Sequence, residues 1–339
     1  MRKTFTIILA TAVSFCVFAQ SLQLRPEVVE LYRLQDIAMR SRVLEECDFI
    51  EKHKTFFNHP LFCEDAFGFE YINFVSALLI QGEHAMAETY LLKAATRLRY
   101  VSTSNALEHI FRRRRSVFPP DTAHVIPRTP ENMRFREMML GKILEIEENQ
   151  IADPRIVAIA QELEELARRD QAIRITPGDM TFWDSMDSIG RSRVIELREA
   201  GLSMREVDSA NIFRIIELIK ENPDIDIMRI NRSGRTNHSF GRDFGLGDVD
   251  IILWHQRVDA LGTLVSFFLP YFRKRAEEGR GLDFAFWYDT YRFHTKRESS
   301  YFGMVGSGRT RRPFVLYVDN LAEVNENRAR VGLLPLSLR

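Results

Sequence analysis

The sequence contains little cysteine and has no excess of charge of either sign. Cysteine occurs three times in 339 residues, and Lys+Arg and Asp+Glu both number 47. A chain without net charge has no overall field that attracts nucleic acid or an anionic membrane surface. The run Arg112 to Arg115 closes a predicted helix, where cations are favoured, and is interpreted as a solvated helix end. We therefore expect no nucleic-acid partner.

The sequence also lacks the motifs that would name a reaction. No H-E-x-x-H, G-x-S-x-G or EF-hand pattern occurs, and "DFG" and "GLG" near residue 245 stand without a Walker lysine or a His-Arg-Asp loop. We expect no metal site and no cofactor, and whether the protein is an enzyme is left open. Hydrophobic residues at 45% and charged residues at 28% are typical of a globular protein. β-prone residues cluster only at 312–319, so the expected fold class is mainly α.

The first twenty residues, MRKTFTIILATAVSFCVFAQ, have the order of a secretory signal peptide. Two basic residues precede an uncharged apolar run that ends at the small residue Ala19. A transmembrane anchor is the alternative, but the run is short for spanning a bilayer. A lipoprotein anchor at Cys16 is disfavoured by the bulky Phe15 before it. We predict that residues 1–19 are removed, that the mature chain starts at Gln20, and that its location is periplasmic or secreted.

Two cysteines, Cys47 and Cys63, remain in the predicted mature chain. An even pair at short spacing in an oxidising compartment favours a disulfide. His53 and His59 lie between them, which offers zinc as an alternative, although structural zinc sites usually have tighter ligand spacing. Two unpaired thiols are the third alternative.

The predicted mature chain divides into two helical parts. Residues 20–118 are predicted to form helices with short breaks, residues 119–130 a proline-rich linker, and residues 131–339 a C-terminal helical domain. Within the first part, two helices joined at Gln81-Gly82 have a pattern of small and aromatic residues that resembles one tetratricopeptide-like hairpin. An ordinary helical hairpin is the alternative, because no second copy follows at a fixed period.

Two helices are predicted in the middle of the C-terminal part. One begins at a cap residue, Asp208 or Ser209. The other starts in "DVDIILWH", and its apolar residues repeat at helical spacing, which predicts one central core helix kinked at Pro270. Its charged residues exclude a membrane span, so none is expected in the mature chain. His255 lies at the edge of the apolar stripe, with Asp259 one turn later.

An acidic residue interrupts the apolar stripe of an earlier helix. Apolar residues recur every three or four positions at Ile156, Ile159, Leu163 and Leu166. The next stripe position is Asp170, and an inward carboxylate is costly unless it is paired. We predict that Arg174, one turn later, pairs with Asp170 and that the pair faces the core helix near His255. The alternative is an exposed pair of little energetic consequence.

Five short motifs occur in order over residues 156–338. They are "DQAIR" with Asp170, Gln171 and Arg174, "LWHQ" with His255, "FWYDTY" with Asp289, "SSYFGMVG" with Gly303, and "NENRARVGLLPL" with Arg328, Gly332, Leu333, Pro335 and Leu336. This order resembles the signature of a bacterial family, the domain of unknown function 6624 family. The resemblance implies that the C-terminal half is a divergent member of that family.

The chain departs from the family pattern at several positions. Trp254 stands where the family has glutamine, and Thr290 where it has arginine. Ser300, Met304 and Val305 stand at three positions where the family has polar signature residues, so two of these positions are apolar here. The family implies no particular activity, and the departures imply that any chemistry of its members is reduced or lost here.

The expected function is that of a non-catalytic, exported cell-envelope protein that binds a small ligand or a protein partner. The candidate ligand-binding residues are Arg174, Gln171 and Asp259. No activated nucleophile, metal cluster or phosphate-binding loop is found in the sequence, and this favours binding over catalysis.

The alternative function is that of a divergent, hydrolase-like enzyme. His255, Asp170 and Asp289 are its catalytic candidates, because histidine with a carboxylate partner is a common general base. His255 would act as acid or base, oriented by Asp259 or Asp289, and Arg174 would receive an anionic group of the substrate. The arrangement of these residues in space separates the two functions.

Overall fold

The structure is a computed structural model. It describes residues 22–40, 49–63, 68–97, 103–112, 126–149, 153–175, 188–230, 248–256, 262–296, 300–303 and 319–336. These residues form thirteen α-helices and no strand, so the predicted fold class is confirmed. The predicted signal peptide, Gln20, Cys47, residues 113–125 and Asp259 lie outside the described residues.

Six of the described helices form the N-terminal part. They are α1 (Pro26–Arg40), α2 (Phe49–Phe57), α3 (Gly68–Ile80), α4 (His84–Arg97), α5 (Thr103–Arg112) and α6 (Pro130–Asn149). Their apolar faces share a cluster of buried side chains, in which Phe56, Phe74 and Leu78 have no exposed surface. Removal of such groups from water is the main favourable contribution to folding.

Helices α3 and α4 form the hairpin that the sequence predicts at Gln81-Gly82. Gly82 has a φ of 78°, in the left-handed region that glycine enters without strain. Ala77, Ala87 and Ala94 are buried in the N-terminal cluster. The small residues that suggest a tetratricopeptide-like pattern therefore pack inside this hairpin and its neighbours.

Helix α6 packs with the N-terminal helices, although it follows the proline-rich segment. Its inward residues Phe135, Met139 and Ile143 belong to the N-terminal cluster. The change from one buried cluster to the other therefore falls between α6 and the next helix rather than at residues 119–130.

Seven of the described helices form the C-terminal part. They are α7 (Pro154–Ala172), α8 (Ser188–Glu199), α9 (Met204–Glu221), α10 (Asp248–His255), α11 (Leu269–Glu277), α12 (Asp283–Tyr291) and α13 (Leu321–Arg330). A 3₁₀ turn lies at Ile227–Arg229, and π-helical turns lie at Leu264–Phe268 and Arg292–Lys296. These elements enclose a second cluster around Phe268, Phe272 and Trp287. None of the described helices has the length and apolar character needed to cross a membrane.

The core helix predicted from "DVDIILWH" onward is two helices in the structure. Helix α10 ends at His255, and Gly262 has a φ of 69°, which a right-handed helix does not contain. Helical backbone resumes at Thr263 and runs through the π-helical turn into α11. The expectation of one continuous helix is wrong because the spacing of apolar residues carries no information about the backbone at the glycine.

Helix α1 connects the two clusters. Val28 and Leu31 are buried in the N-terminal cluster, while the Tyr32 hydroxyl donates to the main-chain oxygen of Ala276 in α11 at 2.9 Å. The main-chain N–H of Gly281 donates to the same hydroxyl oxygen at 3.1 Å. Burial raises the pKa of Tyr32 above its ordinary value, so the hydroxyl keeps the proton that it donates.

The C-terminal end of the chain also packs against α1. At Gly332, a Cβ atom would lie 2.1 Å from the main-chain oxygen of Val29, so only glycine permits this approach. Asp36 accepts the main-chain N–H of Leu334 at 2.7 Å and lies 3.4 Å from Arg328. Helix α1 is thus attached to the C-terminal part at two places.

Candidate functional site

Helix α7 carries an inward-facing carboxylate. Asp153 caps its N-terminus, and Pro154 occupies the first helical position, where a missing N–H costs nothing. The apolar stripe is buried at Ile159, Leu163 and Leu166. Asp170 continues the stripe and has no exposed surface. The prediction that Asp170 faces inward is confirmed.

Asp170 is held by three neighbouring side chains. His255 Nδ1 and Gln171 Nε2 each lie 2.7 Å from its Oδ2. Arg174 Nη1 lies 3.1 Å from Oδ1 but donates to the main-chain oxygen of Asp170. Oδ1 therefore lies beside the positively charged guanidinium, yet it accepts no hydrogen bond from the described residues.

A second carboxylate, Asp208 of α9, binds the other side of Arg174. Arg174 Nη2 donates to Asp208 Oδ1 at 2.6 Å. The prediction that Asp208 or Ser209 caps this helix is wrong, because Ser203 and Glu206 form a capping box several residues earlier. The Ser-x-x-Glu pattern is present in the sequence and places Asp208 inside the helix, so this site residue was missed although a signal for it existed.

Helices α7 and α9 run antiparallel, and this direction brings the two carboxylates to one arginine. The pairs in contact are Arg155 with Asp224, Glu162 with Arg214, Leu166 with Asn211, and Arg174 with Asp208. Residue numbers rise along one helix as they fall along the other. Asn211 consequently lies against the turn of α7 that precedes Asp170, to which it donates at the Leu166 main-chain oxygen at 3.1 Å.

Helix α10 supplies His255 as its last residue. In the neutral ring Nδ1 carries the proton, because a carboxylate oxygen can only accept. Nε2 then presents a lone pair, and no described residue bonds to it. The side chain is 21% exposed whereas Asp170 is fully enclosed. A buried carboxylate behind a partly exposed imidazole orients that imidazole as a hydrogen-bond acceptor or a general base.

Asp170, Arg174, Asp208 and His255 form what we call the Asp–His cluster. Burial raises the pKa of Asp208 above its ordinary value of 3.8, and the hydrogen bond from Arg174 opposes this shift. With a neutral histidine, two carboxylates and one guanidinium leave a formal charge of −1. The single cation is bound by both carboxylates, so the polar groups left to a ligand are mainly acceptors.

Asp289 takes part in a different set of contacts. Its carboxylate accepts the main-chain N–H groups of Tyr301 at 2.6 Å and Phe302 at 3.1 Å. Arg328 donates to the Phe302 main-chain oxygen at 2.8 Å and so holds the same turn from its other side. The carboxylate that contacts Nδ1 of His255 is therefore not Asp289, and the other proposed partner, Asp259, lies outside the described residues.

The cysteine and histidine residues of the N-terminal part do not form a recognisable site. Cys63 is exposed and unpaired in the structure, which agrees with the alternative of unpaired thiols. Cys47 lies outside the described residues, so the disulfide stays a prediction for the oxidised protein. The buried His53 ring stacks on Phe74 with centroids 5.1 Å apart. Nδ1 of His59 accepts a main-chain N–H two residues later at 3.2 Å. No group of three possible metal ligands occurs in the part of the chain that the structure describes.

The chain was compared with protein-family models, with curated proteins and with solved structures, and no match was found. The resemblance to the domain of unknown function 6624 family therefore stays a prediction that rests on motif order. In the structure, residues of the first two motifs meet in the Asp–His cluster, and residues of the last three meet around the turn at 300–303. Thr290, where the family has arginine, is completely buried, and within the described residues its hydroxyl oxygen has no hydrogen-bond partner.

Proposed function

We propose that this chain is an exported cell-envelope protein whose C-terminal helices bind a small polar ligand at the Asp–His cluster. The export half of the proposal is supported by the signal-peptide pattern at residues 1–19. The binding half is supported by one observation: Nε2 of His255 is an open acceptor directly in front of a fully buried carboxylate.

A second histidine with the same exposure supports this interpretation by contrast. His84 is also 21% exposed, but both of its ring nitrogens face oxygen atoms. Its Nδ1 lies 3.0 Å from the Gly82 main-chain oxygen, and its Nε2 lies 2.7 Å from Asn132 Oδ1. His84 has the bonding of a structural histidine, whereas no described residue bonds to Nε2 of His255.

Chemical modification tests this difference. Diethyl pyrocarbonate acylates an imidazole nitrogen that has a free lone pair, and peptide mass mapping of the mature chain gives the rate at each histidine. We expect His255 to react faster than His84 in the folded protein and at a similar rate in the unfolded chain. A folded protein in which His255 reacts no faster than His84 would contradict the proposed binding site.

A second candidate function is hydrolysis with His255 as general base. It is favoured by the 2.7 Å contact between Nδ1 and Asp170 Oδ2, which selects the tautomer that can take a proton at Nε2. With p-nitrophenyl acetate as the probe, His255→Gln and Asp170→Asn should each lower kcat/KM by about 10²-fold or more if this function holds. Hydrolysis that is equal in the native chain, the two variants and His84→Gln would exclude it and leave the binding function in place.

A further inference from the structure

The groups that the Asp–His cluster leaves unbonded share one chemical character. Nε2 of His255, Oδ1 of Asp170 and Oδ1 of Asn211 accept no hydrogen bond from the described residues. All three are acceptors once Nδ1 of His255 donates to Asp170 and the Asn211 amide nitrogen donates to Leu166. The site therefore needs donors rather than acceptors.

Asn211 independently indicates that a hydrogen-bond donor is absent from this region of the described structure. Its side chain has no exposed surface, yet its amide oxygen has no partner in the described part of the chain. Buried polar atoms are nearly always bonded to protein or to ordered water, and each exception calls for an explanation. Asn211 lies one helical turn after Asp208, and its amide nitrogen donates to the turn before Asp170, which places the Asn211 side chain next to elements that carry the Asp–His cluster.

The charge of the cluster also favours a positively charged ligand over an anionic one. Asp170 and Asp208 contribute two negative charges, and Arg174, placed between them, contributes one positive charge. An anionic ligand would meet a guanidinium already bound to two carboxylates. Among the described residues, no three His, Cys, Asp or Glu side chains are placed so that they could hold a metal ion together.

We propose that the ligand class of this site is a primary ammonium group, an inference that rests on the binding function proposed above. An ammonium group brings one positive charge, which balances the cluster, and N–H donors, one of which Nε2 of His255 can accept. Nε2 of His255 is the acceptor that such a group meets first, because it lies on the exposed side of the cluster. The recognised feature is the ammonium group itself, whatever molecule carries it.

Three probes of nearly equal size test this inference on the mature chain. Ethylammonium, ethanol and acetate differ mainly in charge and donor content, and sodium chloride matches the ionic strength. The readout is the ring nitrogen resonances of ¹⁵N-histidine-labelled protein, with His84 as the internal control. We expect ethylammonium to shift the His255 resonances in a saturable way, with no comparable shift from ethanol or acetate.

Two variants connect the effect to the charge of the cluster. Asp208→Asn removes one of the two negative charges and should weaken ethylammonium binding at least about tenfold. Asp224→Asn removes a carboxylate that contacts Arg155 at the far end of the α7 and α9 pair, and it should leave binding unchanged. Equal binding by both variants would overturn the inference.

The outcomes separate this inference from the function on which it rests. A His255 shift with acetate but not with ethylammonium overturns the ammonium class and keeps His255 as a binding site. No shift with any probe, in a protein whose His255 reacts rapidly with diethyl pyrocarbonate, also overturns the ammonium class alone. A His255 that reacts no faster than His84 contradicts the proposed function itself.

Discussion

Replacement of Asp170 by alanine removes the fully buried carboxylate of the Asp–His cluster and should destabilise the fold. The variant loses the contacts of Oδ2 with His255 and Gln171, both at 2.7 Å, and the contact of Oδ1 with Arg174 at 3.1 Å. The guanidinium then keeps its charge in a largely enclosed position with one carboxylate fewer. Removal of one partner of a buried ion pair is strongly destabilising, because the other charge stays buried without full compensation.

The expected size of the loss follows from what remains around Arg174. Removal of one partner of a buried ion pair costs about 3–5 kcal/mol. Arg174 keeps Asp208 at 2.6 Å, and the Arg174 and His255 side chains are 19% and 21% exposed. We therefore expect a loss near the lower bound, about 3 kcal/mol.

Urea unfolding of the mature chain measures this loss. The control is Glu277→Ala, because Arg273 and Glu277 form a pair at the same i,i+4 spacing, 2.8 Å apart, with side chains 24% and 42% exposed. The control should lose only about 0.3–0.5 kcal/mol. A loss below about 1 kcal/mol for Asp170→Ala would refute the reasoning, since a loss of that size is typical of an exposed ion pair.

A compensating variant has to include Asp208. Asp170→Leu with Arg174→Met replaces a buried pair by apolar groups, which is often neutral or stabilising, but it leaves Asp208 without its guanidinium. Burial raises the pKa of Asp208, and Arg174 opposes that shift. Without Arg174 the pKa of the folded state should rise further above that of the unfolded chain.

The sign of the pH dependence follows from this shift. A carboxyl group with a raised pKa in the folded state contributes stability that is fully present below its ordinary value of 3.8. That contribution is lost as the pH rises through the folded-state pKa. The double variant should therefore match a triple variant with Asp208→Asn in acid and fall below it at neutral pH. Parallel pH profiles of the two variants would contradict the assigned burial of Asp208.

Three further predictions concern other parts of the chain. Protein recovered from a cell-envelope fraction should have the mass of a chain that starts at Gln20, and a mass that retains the leader would count against export. Non-reducing peptide mapping should find Cys47 joined to Cys63, a closure that contributes about 3 kcal/mol in the chain-entropy picture, and two alkylatable thiols in fresh material would rule it out. Gly332→Ala should lower the free energy of unfolding by at least about 2 kcal/mol. Gly82→Ala should lower it by about 1 kcal/mol. Both glycines have a left-handed backbone, but a Cβ would lie 2.1 Å from a main-chain oxygen only at Gly332 and would meet nothing within 4 Å at Gly82. Equal losses on urea unfolding would show that the close contact with α1 has no cost.

The sequence alone was sufficient for features that depend on local spacing. The mainly helical fold, the hairpin turn at Gly82 and the inward position of Asp170 all follow from which residues recur along one helix and where it stops. The face of a helix on which a side chain lies follows from its spacing along the sequence, so it can be predicted without knowing which elements pack against the helix. The capping box at Ser203 is of the same local kind and could have placed Asp208 inside its helix.

The tertiary structure decided which side chains meet. Asp170 and His255 are 85 positions apart, and their contact exists because α7, α9 and α10 pack together. From the sequence, Asp259 or Asp289 was the expected partner of His255, but packing brought Asp170 to it and Asp289 to the turn at 300–303. Packing depends on where the chain changes direction, as at Gly262. It also depends on the fit between the apolar faces of two helices, and the periodicity of one face does not predict which other face it packs against.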